Sequence, residues 1–155
     1  MNFRIVVGID GSEAARRALH WAVTEAEVRD GTVQAIAVWH WDGSGTFAPM
    51  ATTPAEERDR AQAVLTREVE SMVKDFPTVA VTADIIEGHP ARELTKAARD
   101  ADLLALGSHG HSHLYQSVLG SISDECVRTA TCPVVVLPAT RAQAVAPAEA
   151  LANSR

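Results

Sequence analysis

A chain of 155 residues, 46% hydrophobic and 22% charged, has room for one domain whose core needs no disulfide or metal staple. Fourteen Lys and Arg against twenty Asp and Glu leave a formal charge of −6, which disfavours a nucleic-acid backbone as partner. No apolar run approaches the roughly 18 residues of a membrane helix, and Cys126 and Cys132 match neither a CxxC redox pair nor a zinc knuckle. Met1-Asn2-Phe3-Arg4 lacks the charged-then-apolar order of a leader, so a reduced, cytoplasmic chain without a membrane partner is expected.

Ile5 to Ile9 is a continuous apolar run, as expected of a strand covered on both faces. Asp10-Gly11-Ser12 then signals a turn into a helix carrying Ala15, Ala18, Leu19, Ala22, Val23 and Ala26 on one face, with Gly31 as its stop. Val33 to His40 is the second strand candidate. Thr53-Pro54-Ala55-Glu56 is a capping box with proline at the first helical position, and Ala61, Leu65, Val69, Met72 and Phe76 form the inward face behind it. Val79 to Ile86 reads as a third strand, and His89-Pro90 opens a third helix. Leu103 to Leu106 is a fourth strand, Ser121 with Asp124 a second capping-box pattern, and Val134 to Leu137 a fifth strand.

Five alternations of strand and helix predict an α/β single domain, a doubly wound five-stranded parallel sheet with helices on both faces. The loops after strands one and four then share the carboxyl edge where such sheets bind ligands. The domain is expected over residues 1–139, with 140–155 an Ala-rich, flexible tail.

Gly107-Ser108-His109-Gly110, nine residues, then Gly120-Ser121 at a helix start has the chemistry of a phosphate cradle in two pieces. Gly107 and Gly110 permit positive φ and close backbone approach to an anion. Ser121 adds a hydroxyl and a helix N-terminus. The Walker A pattern is absent, so no P-loop lysine is available.

Gly107-x2-Gly110-x9-Gly120-Ser121 resembles the ATP-binding signature of the universal stress protein family. The resemblance runs from Ile5 to Leu137 and includes Val7-Gly8-Ile9-Asp10-Gly11-Ser12, Glu87-Gly88-His89-Pro90-Ala91 and Cys132-Pro133-Val134. It implies an adenine-nucleotide α-hydrolase-like fold and a regulatory module of the stress response that binds ATP with Mg. It also implies a homodimer, often formed through the last strand, here Val134 to Leu137. By the same resemblance Asp10 lies near the nucleotide and its metal, Gly8 and Ile9 line the nucleoside, and Ala37 and Val38 meet the adenine. Gly107, Ser108, His109, Gly110, His111, Ser112 and His113 wrap ribose and phosphates, while Gly120, Ser121, Ile122 and Ser123 hold the phosphate tail. The departure lies in charge. His109 and His111 stand where relatives often carry Arg, and histidine is largely neutral at pH 7.

Plainer roles compete with these. Asp10 can cap the first helix. His109, His111 and His113 alternate as metal ligands would in an extended segment, but solvated loop histidines fit as well. Cys126 is expected to pack rather than react, and Trp39 and Trp41 to fill the core and rim. Two further functions stay open: slow Mg-dependent nucleotide hydrolysis, for which Asp10 and the loop histidines are the candidate bases, and dimerisation without nucleotide.

Overall fold

A computed structural model describes residues 2–42, 52–110 and 119–138. The elements in chain order are β1 (Arg4–Gly8), α1 (Glu13–Val28), β2 (Thr32–Trp39), α2 (Pro54–Asp75), β3 (Ala80–Glu87), α3 (Pro90–Ala97), β4 (Leu103–Gly107), α4 (Ser121–Thr129) and β5 (Val134–Leu137). A short 3-10 turn, Ala98–Asp100, follows α3. All five strands are parallel in the order β3-β2-β1-β4-β5, so β1 lies central with Ile5 between Val33 and Leu103. Val134 to Leu137 is an edge strand, as its position in the chain predicts.

The pleat sorts the core into two halves. Ile5, Val7, Val33, Ala35, Ala37 and Ala105 point towards α1 and α2, where Leu19, Val23, Leu65 and Met72 meet them. Val6, Ile36, Leu104 and Leu106 point the other way, onto Ala91, Leu94, Ala98 and Cys126 of the α3 and α4 layer. Continuous apolar strands are the sequence signature of such two-faced burial.

The capping box of α2 forms as its sequence dictates. Thr53 Oγ1 accepts from the Glu56 amide at 3.2 Å, and the Glu56 carboxylate accepts from the Thr53 amide at 2.7 Å. The end of α1 differs from expectation. Arg29 is the C-cap, Asp30 rather than Gly31 takes the left-handed φ of 52°, and the Gly31 amide donates back to the Ala26 carbonyl at 2.7 Å. One buried acid went unanticipated from the sequence. Glu68 of α2 is inward-facing and receives a two-point contact from Arg16 of α1, at 2.9 and 3.0 Å. The tail over residues 140–155 lies outside the described residues.

Candidate functional site

Strand order reverses at β1 and β4, and the loops leaving their carboxyl ends part to opposite sides. The Ile9 amide still donates to the Ile36 carbonyl at 2.8 Å, carrying the sheet one residue past β1. Gly11 turns the chain at φ 80°, and Asp10 Oδ1 accepts from the Ser12 amide at 2.8 Å. Ser12, not Asp10, is the N-cap of α1, its Oγ accepting from the Ala15 amide at 3.2 Å. Asp10 therefore braces the turn that aims its own carboxylate.

Ser108 joins the two pieces of the glycine motif. Its amide donates to the Leu137 carbonyl at 2.8 Å, and its carbonyl accepts from the Gly120 amide at 2.6 Å. Ser123 Oγ lies 2.9 Å from that same carbonyl and 3.1 Å from the Gly120 carbonyl. Helix α4 thus starts at a fixed place beside β4. Its N-cap is Gly120, without a side-chain cap bond, so the expected Ser121–Asp124 capping box does not form. Ser121 is the first helical residue, and it offers its amide rather than a capping hydroxyl; amides at this position have no partner within the helix.

The loop glycines serve space rather than a left-handed backbone. Among the described glycines only Gly11 and Gly88 have positive φ, which corrects the expectation for Gly107 and Gly110. A Cβ on Gly107 would stand 2.7 Å from the backbone of Ala14 and Ala15, so its hydrogen lets α1 sit against β4. A Cβ on Gly110 would stand 2.6 Å from Asp10 Oδ2, so this glycine lets the two loops meet.

These elements enclose an open cleft of about 610 Å³, a size suited to a small cofactor. Ile36, Val38, Leu94 and Leu106 give it an apolar wall under Pro90. Gly8, Ile9, Asp10 and Ser12 line it from β1, His109 and Gly110 from β4, and Leu119 to Asp124 from the start of α4. His109 Nδ1 is 3.2 Å from Ser108 Oγ. The described lining residues include two carboxylates, Asp10 and Asp124, and no Lys or Arg. Asp124 Oδ2 is paired at 2.6 Å with Arg128 Nη2, one turn further along α4.

Most of the expected contacts come together here: Gly8, Ile9, Asp10, Val38, Gly107, His109, Gly110, Gly120, Ser121, Ile122 and Ser123 all line the cleft. Two expected residues do not. Ala37 is buried on the opposite face of β2 with α1 and α2, and Ser108 is buried behind the wall as the joint just described. His111, Ser112 and His113 lie outside the described residues. The sequence reading missed Ile36, which strand alternation pairs with Val38, and it missed Leu94, Leu106 and Asp124.

No group of three or more His, Cys, Asp or Glu residues suited to a metal occurs among the described residues, and Asp10 contributes a single carboxylate. Behind the wall, burial first and the neighbouring Glu125 second push the Cys126 thiol up to about 11. Its Sγ points at the Ala91 carbonyl, 3.8 Å away, which suits a packing role. No helix among the described residues is long and apolar enough to cross a membrane.

A family model, the universal stress protein family, matches residues 1–138. The chain belongs to the universal stress protein family. It is 35% identical over 136 residues to a universal stress protein of Mycobacterium tuberculosis, an alignment covering 86% of this chain and 47% of that one. This universal stress protein chain spans about half the length of the curated relatives it matches. Its fold is that of a universal stress protein from Archaeoglobus fulgidus solved in complex with dAMP, with a TM-score of 0.68, 21% identity, and 87% and 97% of the two chains covered. A universal stress protein solved in complex with cAMP superposes with a TM-score of 0.66 at 22% identity, covering 87% of this chain and 96% of that one.

Proposed function

We propose that this universal stress protein is an adenine-nucleotide-binding regulatory module of the stress response. The observation that carries the proposal is one cleft with two chemically different ends. The wall of Ile36, Val38, Leu94 and Leu106 suits a flat, weakly polar base. At the other end, the first amides of α4 and the glycines beside them suit a phosphate, because they offer N–H donors at the positive end of a helix. Asp10, at the β1 end of the cleft, is the residue proposed to meet the nucleotide's polar groups. The two solved structures of this fold with cAMP and dAMP support the choice of adenine nucleotides.

ATP carried with Mg is the proposed ligand, with His109 and the sequence neighbours His111, Ser112 and His113 on its phosphate side. Asp10 alone is a poor metal cage, and its Oδ1 already serves the Ser12 amide, so phosphate oxygens would supply most of the ligands. The role proposed is binding rather than hydrolysis, since the described lining residues offer no lysine clamp. A homodimer through Val134–Leu137 is part of the proposal. The strand is apolar, half-buried and at the sheet edge, where pairing would cover it. Cytoplasmic placement fits a nucleotide reader whose two cysteines are both free thiols.

Thermal unfolding of the nucleotide-stripped chain with Mg-ATP tests the site. At about 100 times the dissociation constant a ligand adds roughly 2.7 kcal/mol, a rise of roughly 5 to 10 °C for a domain of this size. The rise should vanish in Gly110→Val, whose side chain would press on Asp10. An unchanged wild-type midpoint would refute nucleotide binding.

A further inference from the structure

The phosphate end of the cleft contains a charge that opposes its own attraction. The start of α4 draws anions through its first amides and its dipole. Yet Asp124, the fourth residue of that helix, lines the same cleft with a carboxylate, and Asp10 lines it from β1. No Lys or Arg is among the described lining residues. The guanidinium tied to this end is that of Arg128, which is paired with Asp124 and is 70% exposed to screening solvent.

We propose that the cleft is a phosphate-charge filter in which Asp124 sets the discrimination: it takes an adenine compound bearing one phosphate in preference to the free triphosphate. The inference rests on the adenine-nucleotide reading above and adds that a triphosphate is taken with its Mg rather than as the free anion. One phosphate, at about −2, can use the α4 amides and adds less charge beside the two carboxylates than the further phosphates of free ATP would. Each further unit of phosphate charge at nucleotide distances is disfavoured by about two- to tenfold at low salt, and by less as salt screens it. Arg128 softens that repulsion by partly neutralising Asp124.

The experiment is calorimetric titration of the full, nucleotide-stripped chain with adenosine, AMP and ATP, first in EDTA at low salt and then with excess Mg. In EDTA, ATP should bind at least about tenfold more weakly than AMP, a gap that closes on adding salt or Mg. Asp124→Asn should narrow the gap about threefold or more by strengthening ATP more than AMP, leaving adenosine unchanged. Arg128→Gln should widen it, which gives a second readout through a different side chain, and circular dichroism confirms that both variants fold. Free ATP binding as tightly as AMP in wild type overturns the filter, as does an unchanged gap in both variants. Binding of none of the three compounds, with or without Mg, overturns the nucleotide reading itself, and the filter with it.

Discussion

Gly107 and Gly110 belong to one motif, yet an alanine at each should fail in a different way. At Gly107 the new Cβ meets backbone, the Ala14 carbonyl carbon and the Ala15 nitrogen at 2.7 Å and the Ala14 Cβ at 2.8 Å. Backbone in the first turn of α1 cannot rotate aside, because Ser12 caps it and Asp10 braces the turn before it. Restoring ordinary contact means moving α1 off β4 by roughly 0.7 Å, an overpacking strain that costs about 1–3 kcal/mol. Glycine's greater freedom in the unfolded chain returns about 0.5–1 kcal/mol of that on substitution. The net loss should be about 1–2 kcal/mol, lowering the thermal midpoint by about 3–8 °C. At Gly110 the Cβ meets, among the described residues, the Asp10 carboxylate, the far end of a side chain at an exposed position. Gly110→Ala should therefore unfold within about 2 °C of wild type while weakening nucleotide binding by turning Asp10. Far-UV circular dichroism melts of both variants without ligand make the comparison. A Gly107→Ala midpoint indistinguishable from wild type, or equal losses in both variants, would refute the assignment of one glycine to packing and the other to the site.

Arg16 and Glu68 should respond asymmetrically to substitution. Arg16→Met leaves an inward-facing carboxylate with only the longer Arg67 contact and should cost about 3 kcal/mol, whereas Glu68→Gln frees a half-exposed guanidinium to water and should cost about 1–2 kcal/mol by urea unfolding. Hydrogen bonding to Arg16 holds the Glu68 carboxyl below its usual range against the opposing effect of burial, so its stabilisation is complete above the unfolded carboxyl range near ~4.3 and is lost as pH falls through the lower folded value. The wild-type advantage over Glu68→Gln should accordingly shrink under acid, and a constant difference across pH would contradict the pairing. Ser12→Ala removes the cap of α1 and should cost about 1 kcal/mol in the same unfolding assay. Cys126, with its thiol pushed up to about 11, should resist a thiol reagent at pH 8 until the chain unfolds, and rapid labelling at Cys126 itself in a Cys132→Ser variant would contradict its burial.

Local signals carried the fold a long way. Apolar runs over β1, β4 and β5 and the Thr53–Glu56 box read directly as the elements they form, because burial on both faces and capping leave short-range patterns. The lining of the candidate cleft was legible in the loops, at Gly8–Asp10, Gly107, His109, Gly110 and Gly120–Ser123. It was less legible where tertiary packing decides. Ala37 and Val38 are adjacent in sequence, yet the pleat sends them to opposite faces, which admits Ile36 to the cleft and excludes Ala37. The motif places Ser108 among the expected ligand contacts; in the fold it does not line the cleft, and three long-range hydrogen bonds to its backbone make it the joint between β4, β5 and α4. Glu68 gave no signal on a charged helix, since its partner Arg16 lies 52 residues away.

The claim that one cleft receives the nucleotide is tested most directly by mapping amide shifts in nitrogen-edited NMR spectra as Mg-ATP, and then AMP, is added to the stripped protein. The amides of Gly8 to Ser12, His109, Gly110 and Gly120 to Ser123 should move together and saturate at one concentration, with Val38 moving and β3 and the outer face of α2 still. Spectra that stay unchanged at millimolar nucleotide, or shifts centred away from the β1, β4 and α4 junction, would contradict the account.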